Sequence, residues 1–248
     1  MNSRFFYVLL LGGLLACGAK TPEQFVADKP LYEQAIKLFN DESYDDAVRF
    51  FESLRNRFPQ SPYAIEAEIK IADAHFEKRD FVAAENGYQN FRSLHPTNRH
   101  IPYVIFRTGL CQVEQIPGSV DRDQAHTERT VEIFADFVTR FPNAPEVSEA
   151  RKHLEASKRM LAKRELYVAD FYLNQDAYRA ALLRLEALHA NTDFTDLQGE
   201  ATYKLGFAYY KLKEAQKAKT LLSEVVRNPN ASKYHDRARK LLNKIETL

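Results

Sequence analysis

The chain of 248 residues has no tryptophan, two cysteines and eight glycines, and its net charge at neutral pH is only +1. The near balance of 35 basic and 34 acidic residues leaves no charge surplus with which to attract nucleic-acid phosphates. Two cysteines are also too few for the disulfide framework of a small secreted domain. Alanine, leucine and long charged residues dominate instead, without the alternation typical of strands. This composition favours helices, and no nucleic-acid partner is expected.

The first 17 residues differ in character from the rest of the chain. Arg4 is followed by an uncharged apolar run over residues 5–16. That run is shorter than the roughly 20 helical residues needed to span a bilayer, but it has the length of the apolar region of a secretory signal. It ends in "LLAC", which resembles the lipobox of bacterial lipoproteins. The pattern predicts a signal peptide over 1–16 and lipidation of Cys17; the alternative is an ordinary buried cysteine after a plain signal peptide.

The residue after Cys17 predicts an outer-membrane location for the lipidated protein. In bacterial lipoproteins the new N-terminus is acylated as well as the thiol, and two or more acyl chains give stable membrane attachment. Under the enterobacterial sorting rule an aspartate after the cysteine retains a lipoprotein in the inner membrane, and this chain has Gly18 there. We therefore expect a lipid-anchored protein that faces the periplasm. The other cysteine, Cys111, lies in an apolar helical segment that predicts a small core residue.

Pairs of small residues recur along the chain with a separation of 12 positions. The pairs are Ala35 and Ala47, Ala72 and Ala84, Ala169 and Ala181, and Gly206 and Ala218. Small residues at such positions let two antiparallel helices approach closely where they cross, while larger neighbours pack around the crossing. Pro59 and Pro96 follow the second helices of the first two pairs, where they should end the helix. The pattern resembles the tetratricopeptide repeat, a helix hairpin of about 34 residues.

The third repeat is irregular. Gly109 fits its first small position and Thr130 its second, and the extra residues lie in "QIPGSVDRDQAHTE". No proline or glycine occurs between Val147 and Asn174, which predicts one long helix over about 146–174. A last helix, from about Ser232 to Thr247, fits the cap that stacked repeats need.

The predicted fold class is all-α, an α-solenoid of about five tetratricopeptide-like helix hairpins with a C-terminal capping helix. The predicted domains are a signal peptide (1–16), a lipidated N-terminus and linker (17–29), repeats 1–3 (30–145), and the long helix with repeats 4–5 and the cap (146–248). Stacked hairpins bury the apolar face that a single hairpin leaves exposed. The stack leaves a concave surface suited to binding peptides and proteins.

Signals of catalysis and of cofactor binding are missing from the sequence. There is no glycine-rich phosphate loop, and no two of the seven histidines have the helical spacing i, i+4 of a metal site. His75 occupies a packing position of the second repeat, and the many carboxylates fall on solvated helix faces. We expect a protein that is not an enzyme and uses no cofactor or metal.

Three stretches resemble the BamD family, lipoproteins of the outer-membrane β-barrel assembly machinery. They are "YDDAVRFFESLRNRFPQSPYAIEA" (44–67), "DRDQAHTERTVEIFADFVTRFPNAP" (121–145) and "RMLAKRELYVADFYLNQDAYRAALLRLEAL" (159–188). The resemblance covers most of residues 25–230. It implies a non-enzymatic scaffold whose partners are a BamA-like β-barrel protein, other assembly-machinery lipoproteins, unfolded outer-membrane proteins and the membrane.

Further details are implied by this resemblance alone. An arginine in the second helix of the family's fourth repeat contacts BamA, and the matching motif "LLRLEAL" gives Arg184. The stretch "RNPNASKYHDRARKLLNKIETL" departs from the family, so docking there is not implied. The alternative function is a tetratricopeptide lipoprotein that pilots a secretin or pilus subunit, or one that coordinates peptidoglycan synthesis.

The first helices of the first two repeats offer a candidate substrate groove. Positions three before, one after and four after the small residue face the concave side. These residues are Tyr32, Ile36, Phe39, Ile69, Asp73 and Phe76. A mostly apolar and aromatic trough suits the aromatic C-terminal signals of barrel proteins. Two alternatives are that segment 18–30 covers the trough, or that these side chains complete the core.

Overall fold

A computed structural model describes residues 20–190 and 193–247. Throughout those residues the secondary structure is helical and contains no strand, which confirms the predicted all-α class. The chain divides into two compact units, residues 1–78 and 79–248. The predicted signal peptide and Cys17 lie outside the described residues, and the predicted domain boundaries stay predictions.

The first unit contains three α-helices. They are α1 (Asp28–Asn40), α2 (Tyr44–Arg57) and α3 (Pro62–Glu77), preceded by a short 3₁₀ helix, Pro22–Gln24. The small residues Ala35 and Ala47 are fully buried, and Leu31, Phe51 and Leu54 pack around them with no exposed surface. The α1–α2 pair is therefore the predicted hairpin, closed at the crossing by alanines and at its flanks by large apolar side chains.

The second unit holds the remaining helices of the described chain. They are α4 (Phe81–Leu94), α5 (Ile101–Val113), α6 (Ala125–Arg140), α7 (Val147–Asn174), α8 (Tyr178–Ala190), α9 (Thr195–Lys211), α10 (Ala215–Arg227) and α11 (His235–Glu246). A 3₁₀ helix, Pro229–Tyr234, precedes α11. Each helix from α4 onward packs on the next. The long helix is confirmed within one residue of its predicted start, and the capping helix is confirmed with its first turn replaced by the 3₁₀ segment.

Small residues mark the helix crossings of the second unit as well. Ala169, Ala181 and Ala218 are fully buried, and a Cβ added at Gly206 would lie 2.9 Å from the side chain of Leu222. In the irregular repeat, a Cβ at Gly109 would lie 2.6 Å from the ring of Phe134. Thr130 is also fully buried, so both predicted small positions of that repeat are in close packing.

Four turns between consecutive helices share one unusual backbone conformation. Glu42, Arg79, Asp176 and Lys213 have φ values between 56° and 62°, in the left-handed region. Each lies seven positions after the first small residue, from 35 to 42, 72 to 79, 169 to 176 and 206 to 213. The same turn conformation therefore recurs at the same distance from the small residue each time, which is direct structural evidence of a repeat.

Three helices end in the same way before a proline. The residues at these ends, Phe58, His95 and Phe141, have ψ between 55° and 57°, and their N–H groups donate to the carbonyl four residues earlier. A residue before proline is disfavoured in the α region because the proline ring crowds its backbone. The stops predicted at Pro59 and Pro96, and the end of α6 at Pro142, follow from this restriction.

Candidate functional site

Arg184 lies on the exposed face of α8, in the second unit. Leu185 and Leu188 of the same helix are buried, which turns Arg184 and the 75% exposed Leu183 outward. The guanidinium Nη1 of Arg184 donates to Oε2 of Glu165 on α7, at 3.2 Å. Both side chains stay partly exposed, so water screens the ion pair and its contribution to stability is at most about 1 kcal/mol. The arginine is thus presented at the surface, next to an apolar side chain.

A polar network lies on the same helix, between α8, α9 and α10. The hydroxyl of Tyr209 donates to Oε1 of Glu186 at 2.7 Å, and this hydrogen bond, together with burial, raises the pKa of Tyr209. The ammonium of Lys217 sits 4.8 Å from the centre of the Tyr209 ring. Glu186, although exposed, is therefore bonded to Tyr209 within the unit, whereas, among the described residues, Arg184 pairs only with Glu165 and Leu183 is exposed beside it.

The insertion before α6 is an ordered loop. Gln124 is 2% exposed, and its Nε2 donates to the carbonyls of Ser119 and Arg122 at 3.0 and 3.1 Å. Arg164 of α7 donates to the carbonyls of Val120 and Arg122 at 3.1 and 2.5 Å. The long helix thus holds the "DRDQ" stretch in place. Sequence reasoning missed the role of Arg164, because backbone carbonyl acceptors have no side-chain signature.

The candidate groove residues lie on α1 and α3 of the first unit. Tyr32 is half-buried: its hydroxyl donates to Oε2 of Glu66 at 2.9 Å, and its ring stacks on Tyr63 at 4.7 Å between centres. Burial and the hydrogen bond to Glu66 raise the pKa of Tyr32 well above its usual range. These contacts join α1 to α3, and for Tyr32 they favour the alternative in which the side chain completes the core.

The other groove candidates differ in exposure. Ile36, Phe39 and Phe76 are half-buried, whereas Ile69 and Asp73 are 5% and 2% exposed. The ammonium of Lys70 bonds Oδ2 of Asp73 at 2.8 Å and lies 5.2 Å from the centre of the Phe39 ring. The groove assignment therefore stays a prediction that rests mainly on the half-buried apolar side chains.

The N-terminal segment, which one alternative places over the trough, packs on α2. Residues 20–27, here called the strap, contact α2: the Phe25 ring meets the Phe50 ring at 5.9 Å, edge to face. Arg57 of α2 donates to the carbonyls of Pro22 and Phe25 at 2.7 and 2.5 Å. These contacts of the strap are with residues other than the groove candidates.

Other chemistry is limited in the part of the chain that the structure describes. Residues 20–190 and 193–247 contain no cluster of three metal-binding side chains and no helix both long and apolar enough to cross a bilayer. Cys111 is fully buried on α5, and burial raises the pKa of its thiol to about 12, so the thiol is protonated at neutral pH. The prediction of a core cysteine is confirmed. His75 is half-buried on α3, in the packing position expected for it.

Repeated helix hairpins, crossing at small residues and sharing one inner turn, define the class as an all-α tetratricopeptide-like repeat protein. The family profile "YfiO: Outer membrane lipoprotein" matches residues 25–223. The chain therefore belongs to the YfiO outer membrane lipoprotein family.

Curated relatives agree with this membership, and each is named "Outer membrane protein assembly factor BamD". The protein of Rickettsia prowazekii is 27% identical over 97% of this chain and 97% of its own length. That of Vibrio cholerae is 28% identical over 79% of this chain and 91% of its own. That of Caulobacter vibrioides is 27% identical over 86% and 71%. These relatives are assembly factors rather than enzymes, and the chain shares their non-enzymatic class.

Among solved structures, the chain aligns with the TPR2AB domain of yeast Sti1, from its complex with a pHSP90 peptide. The alignment has a TM-score of 0.44 and 13% sequence identity, over 89% of this chain and 90% of that chain.

Proposed function

We propose that this protein is a lipid-anchored scaffold of the outer-membrane β-barrel assembly machinery, facing the periplasm. Acylation of Cys17 would supply the anchor, and the repeats would dock the periplasmic domains of a BamA-like protein and help to receive unfolded barrel proteins. The observation that carries the proposal is the match, over 97% of the chain, to a relative named "Outer membrane protein assembly factor BamD". Other lipoproteins of the machinery are further partners under this proposal.

Arg184 is the proposed docking residue for the BamA-like protein. It is exposed, and it is flanked by the exposed Leu183. Its ion pair with Glu165 is screened by solvent, so replacing Glu165 with an acidic group of the partner costs little free energy. A carboxylate of the partner, less exposed to water once the complex has formed, would replace Glu165. Such exchange turns a weak internal pair into a desolvated one, which contributes more to affinity.

A charge reversal tests this role. Arg184→Glu should weaken binding of the partner's periplasmic domains more than tenfold, because disrupting a desolvated charge pair costs about 2–5 kcal/mol. Arg179→Glu, at another exposed arginine of α8, is the matched control and should leave affinity unchanged. Glu165→Gln frees Arg184 from its internal partner and should strengthen binding by up to about fivefold, since exposed pairs contribute up to about 1 kcal/mol. Isothermal titration calorimetry measures all three, and unchanged affinity of Arg184→Glu removes this residue from the interface.

The same proposal gives the first unit the role of receiving barrel substrates. Ile36, Phe39 and Phe76 are half-buried apolar side chains on α1 and α3, suited to an extended peptide with an aromatic end. Phe76→Ala should lower the affinity for a barrel C-terminal peptide while the melting temperature changes little. Tyr32→Ala, which breaks the bond to Glu66, should instead lower the melting temperature. If Phe76→Ala lowers only the melting temperature, these side chains belong to the hydrophobic core and the substrate-groove hypothesis is wrong.

A further inference from the structure

The strap (20–27) is fixed on the α1–α2 hairpin by bonds that define its path. One guanidinium, that of Arg57, donates to the carbonyl oxygens of Pro22 and Phe25, three residues apart. Pro22 is buried, and the Phe25 ring packs edge-on against Phe50. Because a planar guanidinium with two bonded nitrogens has little rotational freedom, the strap is held in one orientation on α2.

Both ends of the strap are also held. At its end, α1 begins with Asp28, whose Oδ2 accepts a hydrogen bond from the hydroxyl of Ser61 at 2.7 Å. At its start, the ammonium of Lys20 lies 6.0 Å from the centre of the Phe25 ring. Lys20 also lines a cleft with Lys37 of α1 and Phe50 of α2, so the start of the strap lies on the α1–α2 hairpin.

The distance from this place to the lipid anchor is short. Cys17 precedes Lys20 by three residues. A chain extends by at most about 3.6 Å per residue, so an acylated Cys17 lies within about 11 Å of Lys20 whatever path the intervening residues take. Acyl chains on Cys17 must enter the bilayer from that point. The surface of the membrane is thus limited to the neighbourhood of the strap.

We propose that the strap, fixed by Arg57, orients the first unit on the membrane, with the strap-bearing face of the α1–α2 hairpin against the phospholipid headgroups. This inference rests on the proposed acylation of Cys17. It assigns Arg57 a positioning role: by fixing the strap on α2, the arginine sets the direction in which the chain leaves the first unit toward Cys17.

The composition of this face fits a headgroup layer. Val26 of the strap is 91% exposed and offers an apolar side chain to the interface. Two clefts bordered by the strap are lined by four cations and three carboxylates: Lys20, Lys37, Arg49, Arg57, Glu23, Asp46 and Glu52. Because these charges nearly balance, the face should lie on zwitterionic and anionic headgroups alike, with affinity supplied by the acyl chains.

Fluorescence quenching can test the orientation. The full-length acylated protein is reconstituted into phosphatidylethanolamine–phosphatidylglycerol vesicles that contain a nitroxide-headgroup phospholipid. A fluorophore is attached at Glu52→Cys, in the strap cleft, or at Glu77→Cys, at the end of α3. Cys111 is buried and protonated, so it contributes little background labelling. The start of α3 meets the end of the strap at Ser61, but Glu77 lies 16 residues further along this helix. At a rise of about 1.5 Å per residue, that is about 24 Å from Ser61, and quenching falls steeply over such a distance.

We expect the Glu52 label to be quenched at least twofold more than the Glu77 label. Arg57→Ala should make the quenching at the two labels similar. Arg57→Lys should have an intermediate effect, because lysine lacks the two-nitrogen fork of arginine. Arg55→Ala, on the same helix, is the control and should leave the difference in quenching unchanged. Equal quenching at both sites in the wild-type protein overturns the inference without any variant, and so does an undiminished contrast in Arg57→Ala that retains native circular dichroism.

A separate readout distinguishes this inference from the anchor proposal. Membrane retention at carbonate pH and the mass of the N-terminal peptide report acylation of Cys17 alone. Arg57→Ala should stay membrane-bound because its acyl chains are intact. If Arg57→Ala stays membrane-bound with an unchanged orientation, the role of the strap is contradicted and the anchor proposal still holds. An unacylated, soluble wild-type protein would contradict both proposals.

Discussion

The start of the first unit and the end of the second close a helical repeat by different means. The strap before α1 has a single 3₁₀ turn, and it is held by the hydrogen bonds of Arg57 to two carbonyls and by one aromatic contact. The end of the second unit is a 3₁₀ segment and α11, whose buried Tyr234 and Leu241 join the apolar core. Every terminal repeat must cover its outer apolar face. The strap does so and also leads to the proposed anchor at Cys17, whereas the C-terminal end does so with buried apolar side chains of the 3₁₀ segment and α11.

The largest effect we expect is at the C-terminal closure. A Cβ at Gly199 of α9 would lie 2.8 Å from the Cβ of Ala231 and 3.1 Å from its Cα, so the 3₁₀ segment would have to move. Gly199→Val should destabilise the protein by about 1–3 kcal/mol, as overpacking does. Gly118→Val is the control, since nothing lies within 4 Å of a Cβ there. Urea unfolding followed by circular dichroism measures both, and an unchanged midpoint for Gly199→Val would show that apolar packing does not fix this end.

A smaller, stabilising effect is expected from glycine substitutions in the inner turns, and it should be equal in the two units. Glu42 and Lys213 hold the same turn position at φ 60° and 62°. A left-handed conformation costs a non-glycine residue about 1–3 kcal/mol, which glycine avoids. The greater freedom of glycine in the unfolded chain cancels part of that gain. Glu42→Gly and Lys213→Gly should each stabilise the protein by about 0.5–1 kcal/mol in thermal unfolding. A gain at only one site would mean that the two turns are not equivalent.

The smallest expected effect is a pH dependence at the N-terminal closure. Hydrogen bonds from the Ser61 hydroxyl and the Lys29 backbone N–H hold the pKa of Asp28 below its usual value. The folded state therefore binds this proton less tightly than the unfolded state, whose carboxyl has a pKa of about 3.9. The resulting stability is present above that value and is lost as the pH falls through the lowered folded pKa.

Asp28→Asn tests this pH dependence. Its melting temperature should lie below that of the wild type at pH 6, and the difference should shrink toward pH 3. Asp41→Asn, at an exposed site in the turn after α1, is the control and should show no such trend. A difference that stays constant between pH 6 and pH 3 would contradict the role of the Asp28 carboxylate.

Much of the fold could be predicted from the sequence because steric signals are local. The alanine pairs, the prolines after helices and the uninterrupted stretch before Asn174 each restrict the backbone within a few residues. They therefore identified the hairpins, the helix ends and the long helix α7. The resemblance of the lipobox and of three longer stretches led to the family that the profile match then showed.

What could not be predicted depends on contacts between distant residues. Arg57 and Arg164 both donate to backbone carbonyls, acceptors that every residue carries, so the sequence gives no sign of these bonds. Burial at the groove positions is a second example, since Asp73 pairs with Lys70 and is almost fully covered, although its helical position predicted a concave face. Whether a side chain at such a position is buried or exposed depends on how the whole helix packs.

The central claim, a scaffold of the barrel assembly machinery, is tested most directly by its stoichiometric partner. The full-length acylated protein is purified from detergent-solubilised outer membranes, and co-purifying proteins are identified by mass spectrometry. The account predicts a β-barrel protein with repeated periplasmic domains, retained with Arg179→Glu and depleted with Arg184→Glu. Recovery of a secretin, a pilus subunit or a peptidoglycan synthase in its place would contradict the account.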